Sequence, residues 1–111
     1  MPKTHFLTFG GGENNQSYRN AVKRLSEQAK VLEIFDYIYP NTEIDLKNDD
    51  EFWKTHGDFI IKNTRGYGYW LWKPYLIKKI IEQIEDNDIL LYADAGCIIQ
   101  PTHKDELLRL F

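Results

Sequence analysis

The chain has 111 residues, 42% hydrophobic and 14% aromatic, and its 14 Lys+Arg against 17 Asp+Glu give a formal net charge of −3. That length supports one domain with a modest core, and the composition excludes disorder, collagen and low-complexity sequence. The acidic balance argues against a nucleic-acid partner, the single Cys97 points to a reducing, cytoplasmic compartment, and no apolar run approaches the ~20 residues of a membrane span.

The first element reads as a strand, His5–Phe9, too short for the apolar core of a signal peptide. It stops at Gly10-Gly11-Gly12, a triplet that a strand interior tolerates poorly. A helix follows from Ser17 to Lys30, with Tyr18, Val22, Leu25, Ala29 and Leu32 at helical spacing and Asn14, Asn15 or Ser17 as its cap. A second strand is expected over Ile34–Tyr39, ended by Pro40-Asn41. The order strand, glycine loop, helix, strand is one βαβ unit, for which a parallel pair is expected.

The middle, Thr42 to Thr64, is less regular. Asp49-Asp50 cap a short helix carrying Phe52, Trp53, His56 and Ile60, although Gly57 weakens it. Arg65-Gly66-Tyr67-Gly68-Tyr69-Trp70 reads as a loop. Pro74 then suits the first turn of a helix whose apolar face is Trp72, Leu76, Ile77, Ile80, Ile81 and Ile84. After the break at Asp86-Asn87, Asp88–Ala93 reads as a central parallel strand buried on both faces, running into Asp94-Ala95-Gly96. Thr102 and Asp105 have capping-box spacing before a last helix that begins just ahead of Phe111.

In an open α/β sheet, ligands bind outside the carboxyl ends of the strands. Two features fall there. Gly10-Gly11 lets backbone approach a ligand, although neither a Walker A loop nor a dinucleotide fingerprint is present; a plain flexible connection is the competing reading. Asp94 ends a strongly apolar strand, where a carboxylate needs a cation, backbone N–H groups or a ligand hydroxyl; the competing reading is an Asx turn. Of the three Trp, seven Tyr and six Phe, eight lie between Phe52 and Tyr75, flanked by Arg65 and Lys73, either of which could meet a phosphate. Trp70 and Trp72 are assigned to packing. His5, His56 and His103 lack metal-ligand spacing and are given no role. Cys97 is expected to be a buried, inert thiol.

The run Arg65-Gly66-Tyr67-Gly68-Tyr69-Trp70-Leu71-Trp72-Lys73-Pro74-Tyr75, followed by a helix and then Asp88–Cys97, resembles a group of GT-A-fold glycosyltransferases of the capsule- and glycan-synthesis type. Thr8–Gly12 and the Arg24-Leu25 helix are similar to the same group, so the resemblance covers nearly the whole chain. It implies an α/β, Rossmann-like, mainly parallel sheet that holds a nucleoside diphosphate sugar, with a glycan as acceptor. By the same resemblance Gly10 and Gly11 lie on the base or ribose side, Arg65 and Lys73 near phosphate, and Asp94 is the first residue of the acidic motif. That motif normally holds Mn²⁺ or Mg²⁺, but here its third position is Gly96, leaving Asp94 as its only carboxylate.

The expectation is therefore a single domain over residues 1–111, the donor-binding part of a glycosyltransferase cut short at its carboxyl terminus and inactive alone. No catalytic residue is identified. The alternatives are a non-catalytic sugar- or nucleotide-binding module, or an inactive truncated remnant that pairs with a second copy as a homo-oligomer.

Overall fold

A computed structural model describes residues 2–11, 16–63, 68 and 70–111. The strands are β1 (Thr4–Gly10), β2 (Tyr37–Thr42) and β3 (Ile89–Asp94), and the helices α1 (Gln16–Leu32), α2 (Glu43–Asn48), α3 (Asp50–Lys62), α4 (Trp72–Ile81) and α5 (Lys104–Leu108). A 3-10 turn, Pro101–His103, precedes α5. The strands form one sheet in the order β2-β1-β3, parallel throughout, with Phe6 paired to Ile38 on one side and to Leu91 on the other. This is the expected α/β, Rossmann-like arrangement of a parallel sheet flanked by helices. No helix among the described residues is long and apolar enough to cross a membrane.

Because β1 is the middle strand, its side chains supply both cores. Phe6 packs with Leu25 and Ala29 of α1, and with Phe35, Ile38 and Leu91. Leu7 and Phe9 point the other way, to Leu46 of α2, Phe52 and Ile60 of α3, and Trp72, Leu76 and Ile80 of α4. Two right-handed crossovers running in opposite directions across a sheet lie on opposite faces, and α1 lies on one face with α2–α4 on the other.

Several elements differ from expectation for local physical reasons. β2 begins later and runs through Pro40, which an edge strand tolerates because its outward N–H has no partner to lose. α2 was not expected, yet Thr42 and Asp45 form the capping box that starts it. In α3, Gly57 lies against the Trp53 ring, whose atoms would be 2.8–2.9 Å from an added Cβ. β3 is an edge strand rather than a central one, and its residues from Ile89 to Ala93 are only half buried. Cys97 is exposed, not buried. Thr102 lies in the 3-10 turn, and α5 starts from His103 with no side-chain cap. Ser17 is inside α1, whereas Asn14 and Asn15 lie outside the described residues.

The amino edge of the sheet is closed by a polar network. Asp88 accepts hydrogen bonds from the Lys3 N–H (2.9 Å), the Glu85 N–H (3.3 Å) and His5 Nε2 (2.9 Å), while His5 Nδ1 pairs with the Tyr39 hydroxyl at 2.8 Å. Asp36 accepts from the Thr4 N–H at 2.8 Å; away from this edge, Asp49, the cap of α3, accepts from the Tyr75 hydroxyl of α4 at 2.6 Å. His5, given no role from sequence, is thus a buried member of this network.

These donors favour the ionised carboxylates. The Thr4 N–H lowers Asp36, the Tyr75 hydroxyl lowers Asp49, and the Lys3 N–H followed by His5 lowers Asp88, while Tyr75 is itself pushed up to about 12. The stability they add is therefore present above the unfolded value of about 3.9 and lost as pH falls through the lowered folded values. Thermal melts should be flat from neutrality to about pH 5 and decline below about pH 4, with a smaller decline in D36N and D49N. A melting temperature unchanged at about pH 3 would contradict this linkage.

Candidate functional site

The strand order reverses at β1, and the crevice such a reversal creates lies at the carboxyl ends of the strands. Gly10 and Gly11, Glu43, and the turn of residues 94–97 all meet there. The register places Phe9 opposite Asp94 and Gly10 opposite Thr42. The first turn of α4 reaches the same edge because Trp72 stacks on Phe9, with ring centroids 3.9 Å apart. Trp72 thus serves packing, as expected.

Lys73 follows directly from that stack. Its Nζ lies 3.8 Å from Asp94 Oδ1 and 4.6 Å from the centre of the Tyr92 ring. Tyr92 donates its hydroxyl to the same Oδ1 at 2.7 Å. Burial first, and then this bond to Asp94, push the Tyr92 phenol well above its ordinary value, so it remains a donor. Two residues singled out 21 positions apart in sequence, Lys73 and Asp94, therefore share one cluster. Arg65 lies outside the described residues.

The Lys73 contacts are weak. An ion pair with side chains 40% and 66% exposed contributes about 0–1 kcal/mol, and a cation–π contact near the surface about 0.5–1 kcal/mol. A charge-assisted hydrogen bond to a phosphate, at about 1.5–3 kcal/mol, competes with both. The ammonium is held near the edge yet remains available to an anion.

The glycines have a structural role of their own. A Cβ on Gly10 would lie 2.7 Å from Val22 Cγ2, 2.9 Å from Ala95 Cβ and 2.9 Å from the Tyr18 carbonyl oxygen. One on Gly11 would lie 3.0 Å from the Glu43 backbone nitrogen. Both positions thus admit close approach of neighbouring chain, which brings α1, α2 and the turn after β3 together around the crevice. Arg24 of α1 fixes that turn by donating to the carbonyls of Ala95 (2.9 Å) and Cys97 (3.2 Å).

Sequence reasoning missed Glu43. It opens α2 at the end of β2 and is only 2% exposed. Arg19 bonds its Oε1 through both Nε (2.7 Å) and Nη2 (2.5 Å), leaving Oε2 buried and without a partner among the described residues. An unpaired buried carboxylate oxygen is costly, and a hydroxyl or N–H brought by a ligand would satisfy it. The only sequence signal was an acidic residue directly after a strand ending in Thr42.

Asp94 alone makes a poor site for a divalent cation. Asp94 already pairs with Tyr92 and Lys73, whose ammonium would repel a cation, and Gly96 adds no donor. No group of three His, Cys, Asp or Glu suited to a metal occurs among the described residues.

No family model, curated protein or solved structure matches the chain.

Gly10→Ala should lower stability by about 1–3 kcal/mol in urea unfolding, because the new methyl overpacks three neighbours. Gly96, with open space around it, is the control: Gly96→Ala should stay within about 0.5 kcal/mol. Equal effects at the two positions would remove the packing role assigned to Gly10.

Proposed function

We propose that this chain binds a nucleoside diphosphate sugar at the carboxyl edge of its sheet, as the donor-binding domain of a GT-A-type glycosyltransferase that passes the sugar to a glycan. One observation carries the reading: Lys73 and Asp94, on separate elements, come together beside Gly10 and Gly11 where the strand order reverses. The chemistry agrees with that placement. Negative charge gathers on the diphosphate as the glycosidic bond breaks, and a cation already in place stabilises it without reorganisation. Lys73 is that cation, Asp94 holds it in position and offers an acceptor to a ligand hydroxyl, and Glu43 Oε2 offers another at the opposite end of the edge.

The engagement of Asp94 by Tyr92 and Lys73 favours a second reading, a binder that carries out no transfer. Release of free sugar from UDP-glucose or GDP-mannose distinguishes them, since a bare binder releases none.

Isothermal titration with UDP, GDP and these two conjugates, each with and without Mn²⁺, tests binding. Heat is expected with at least one ligand. Lys73→Ala should weaken that ligand about tenfold or more, the loss of one charge-assisted phosphate contact. The affinity of the native chain should also fall with added salt, because the attraction is partly screened. No heat with any ligand under either condition overturns the proposal.

A further inference from the structure

Trp70 departs from the packing role that its composition implied. The residue is 50% exposed, although it lies two positions before the buried Trp72. Among the described residues its indole makes no ring contact. Its backbone is also unusual, with φ at 61°, in the left-handed region that a bulky side chain seldom occupies. Such strain persists only where the surroundings over-determine it, and it gathers at ligand sites.

The surroundings here are fixed on both sides. The Leu71 N–H donates to the Gly68 carbonyl at 3.1 Å, and the Lys73 N–H donates to the Trp70 carbonyl at 3.1 Å. Gly68, itself at φ 84°, is packed against Ile60. On the other side the Trp72–Phe9 stack anchors the first turn of α4. The chain therefore holds a large aromatic surface in solvent, one helical turn from Lys73, through a conformation that disfavours a large side chain.

We infer that Trp70 is a stacking platform for the pyranose ring of the bound nucleotide sugar. This rests on the donor-binding reading above. The order of groups along the sheet edge selects the sugar over the base. Glu43 Oε2, an acceptor suited to ribose hydroxyls or base N–H groups, lies on the β2 side. Lys73 lies at β3, where phosphate would sit. Trp70 lies three residues before Lys73, its carbonyl bonded to the Lys73 N–H in the segment leading into α4, so the chain itself keeps it beside the phosphate-binding position. A pyranose presents one face of C–H groups, which buries well on an indole while its hydroxyls stay in water.

Titrations of the full chain with UDP, GDP, UDP-glucose and GDP-mannose test this. Trp70→Ala should weaken the preferred sugar conjugate about tenfold while leaving the matching nucleoside diphosphate unchanged, and Trp70→Phe should keep most of the affinity. Equal loss for conjugate and bare nucleotide, or loss for neither, overturns the pyranose platform and leaves donor binding standing. A native chain that binds none of the four ligands overturns both. Strain has its own readout. Trp70→Gly and Trp70→Ala both lack the indole, but only alanine retains a Cβ at φ 61°, so the glycine variant should melt at the higher temperature. If it does not, the strained presentation is wrong.

Discussion

The structure depends on burying one strand, β1, on both faces at once. From His5 to Gly10 it has almost no contact with water, so successive side chains must find apolar partners in opposite directions. Phe6 takes α1, whereas Leu7 and Phe9 take α2, α3 and α4. The placement of every large helix follows from that demand. The same strand then sets the geometry at its carboxyl end. Gly10 permits contact with Val22 and Ala95 that a side chain would prevent, and the Phe9 ring receives Trp72. Lys73 reaches Asp94 because its neighbour in sequence is clamped to β1.

The features legible in sequence were those written in local period and punctuation. The stripe from Tyr18 to Leu32 marks α1, the apolar face from Trp72 to Ile80 marks α4, and the change from apolar strand to Asp94 marks a carboxyl end. What could not be read depends on position in the sheet. Ile89–Ala93 has the composition of a strand covered on both sides, and nothing local reveals that β3 lies at the edge. Pro40 looks like a terminator unless β2 is known to be an edge strand. The exposure of Cys97 follows from the turn held by Arg24, a contact 73 residues apart in sequence.

The candidate site shows the same division. Lys73 and Asp94 were each identifiable as residue types that suit phosphate chemistry, but their meeting is a tertiary fact. Glu43 and Arg19 are 24 residues apart and belong to elements separated by β2, so no spacing rule joins them. Trp70 was misjudged because composition treats neighbouring tryptophans alike. Backbone conformation separates them: Trp72 is the first helical residue of α4, and Trp70 sits in the left-handed region just before it.

The two edges of the sheet differ in how completely their polar groups are satisfied. At the amino edge, Asp88 takes three donors and the buried His5 uses both ring nitrogens, so any rearrangement there would break several bonds at once. At the carboxyl edge, Lys73 is held by two contacts that together contribute about 0.5–2 kcal/mol, and Glu43 keeps an oxygen with no partner among the described residues. On the proposed reading an incoming anion would displace the first at little cost to the fold, whereas reaching the second requires local opening, since Glu43 is buried. The polar groups of the amino edge are thus the more completely satisfied, while the carboxyl edge, held by apolar packing around Gly10 and by the Phe9–Trp72 stack, keeps a strained Trp70 and a Glu43 oxygen with no partner among the described residues.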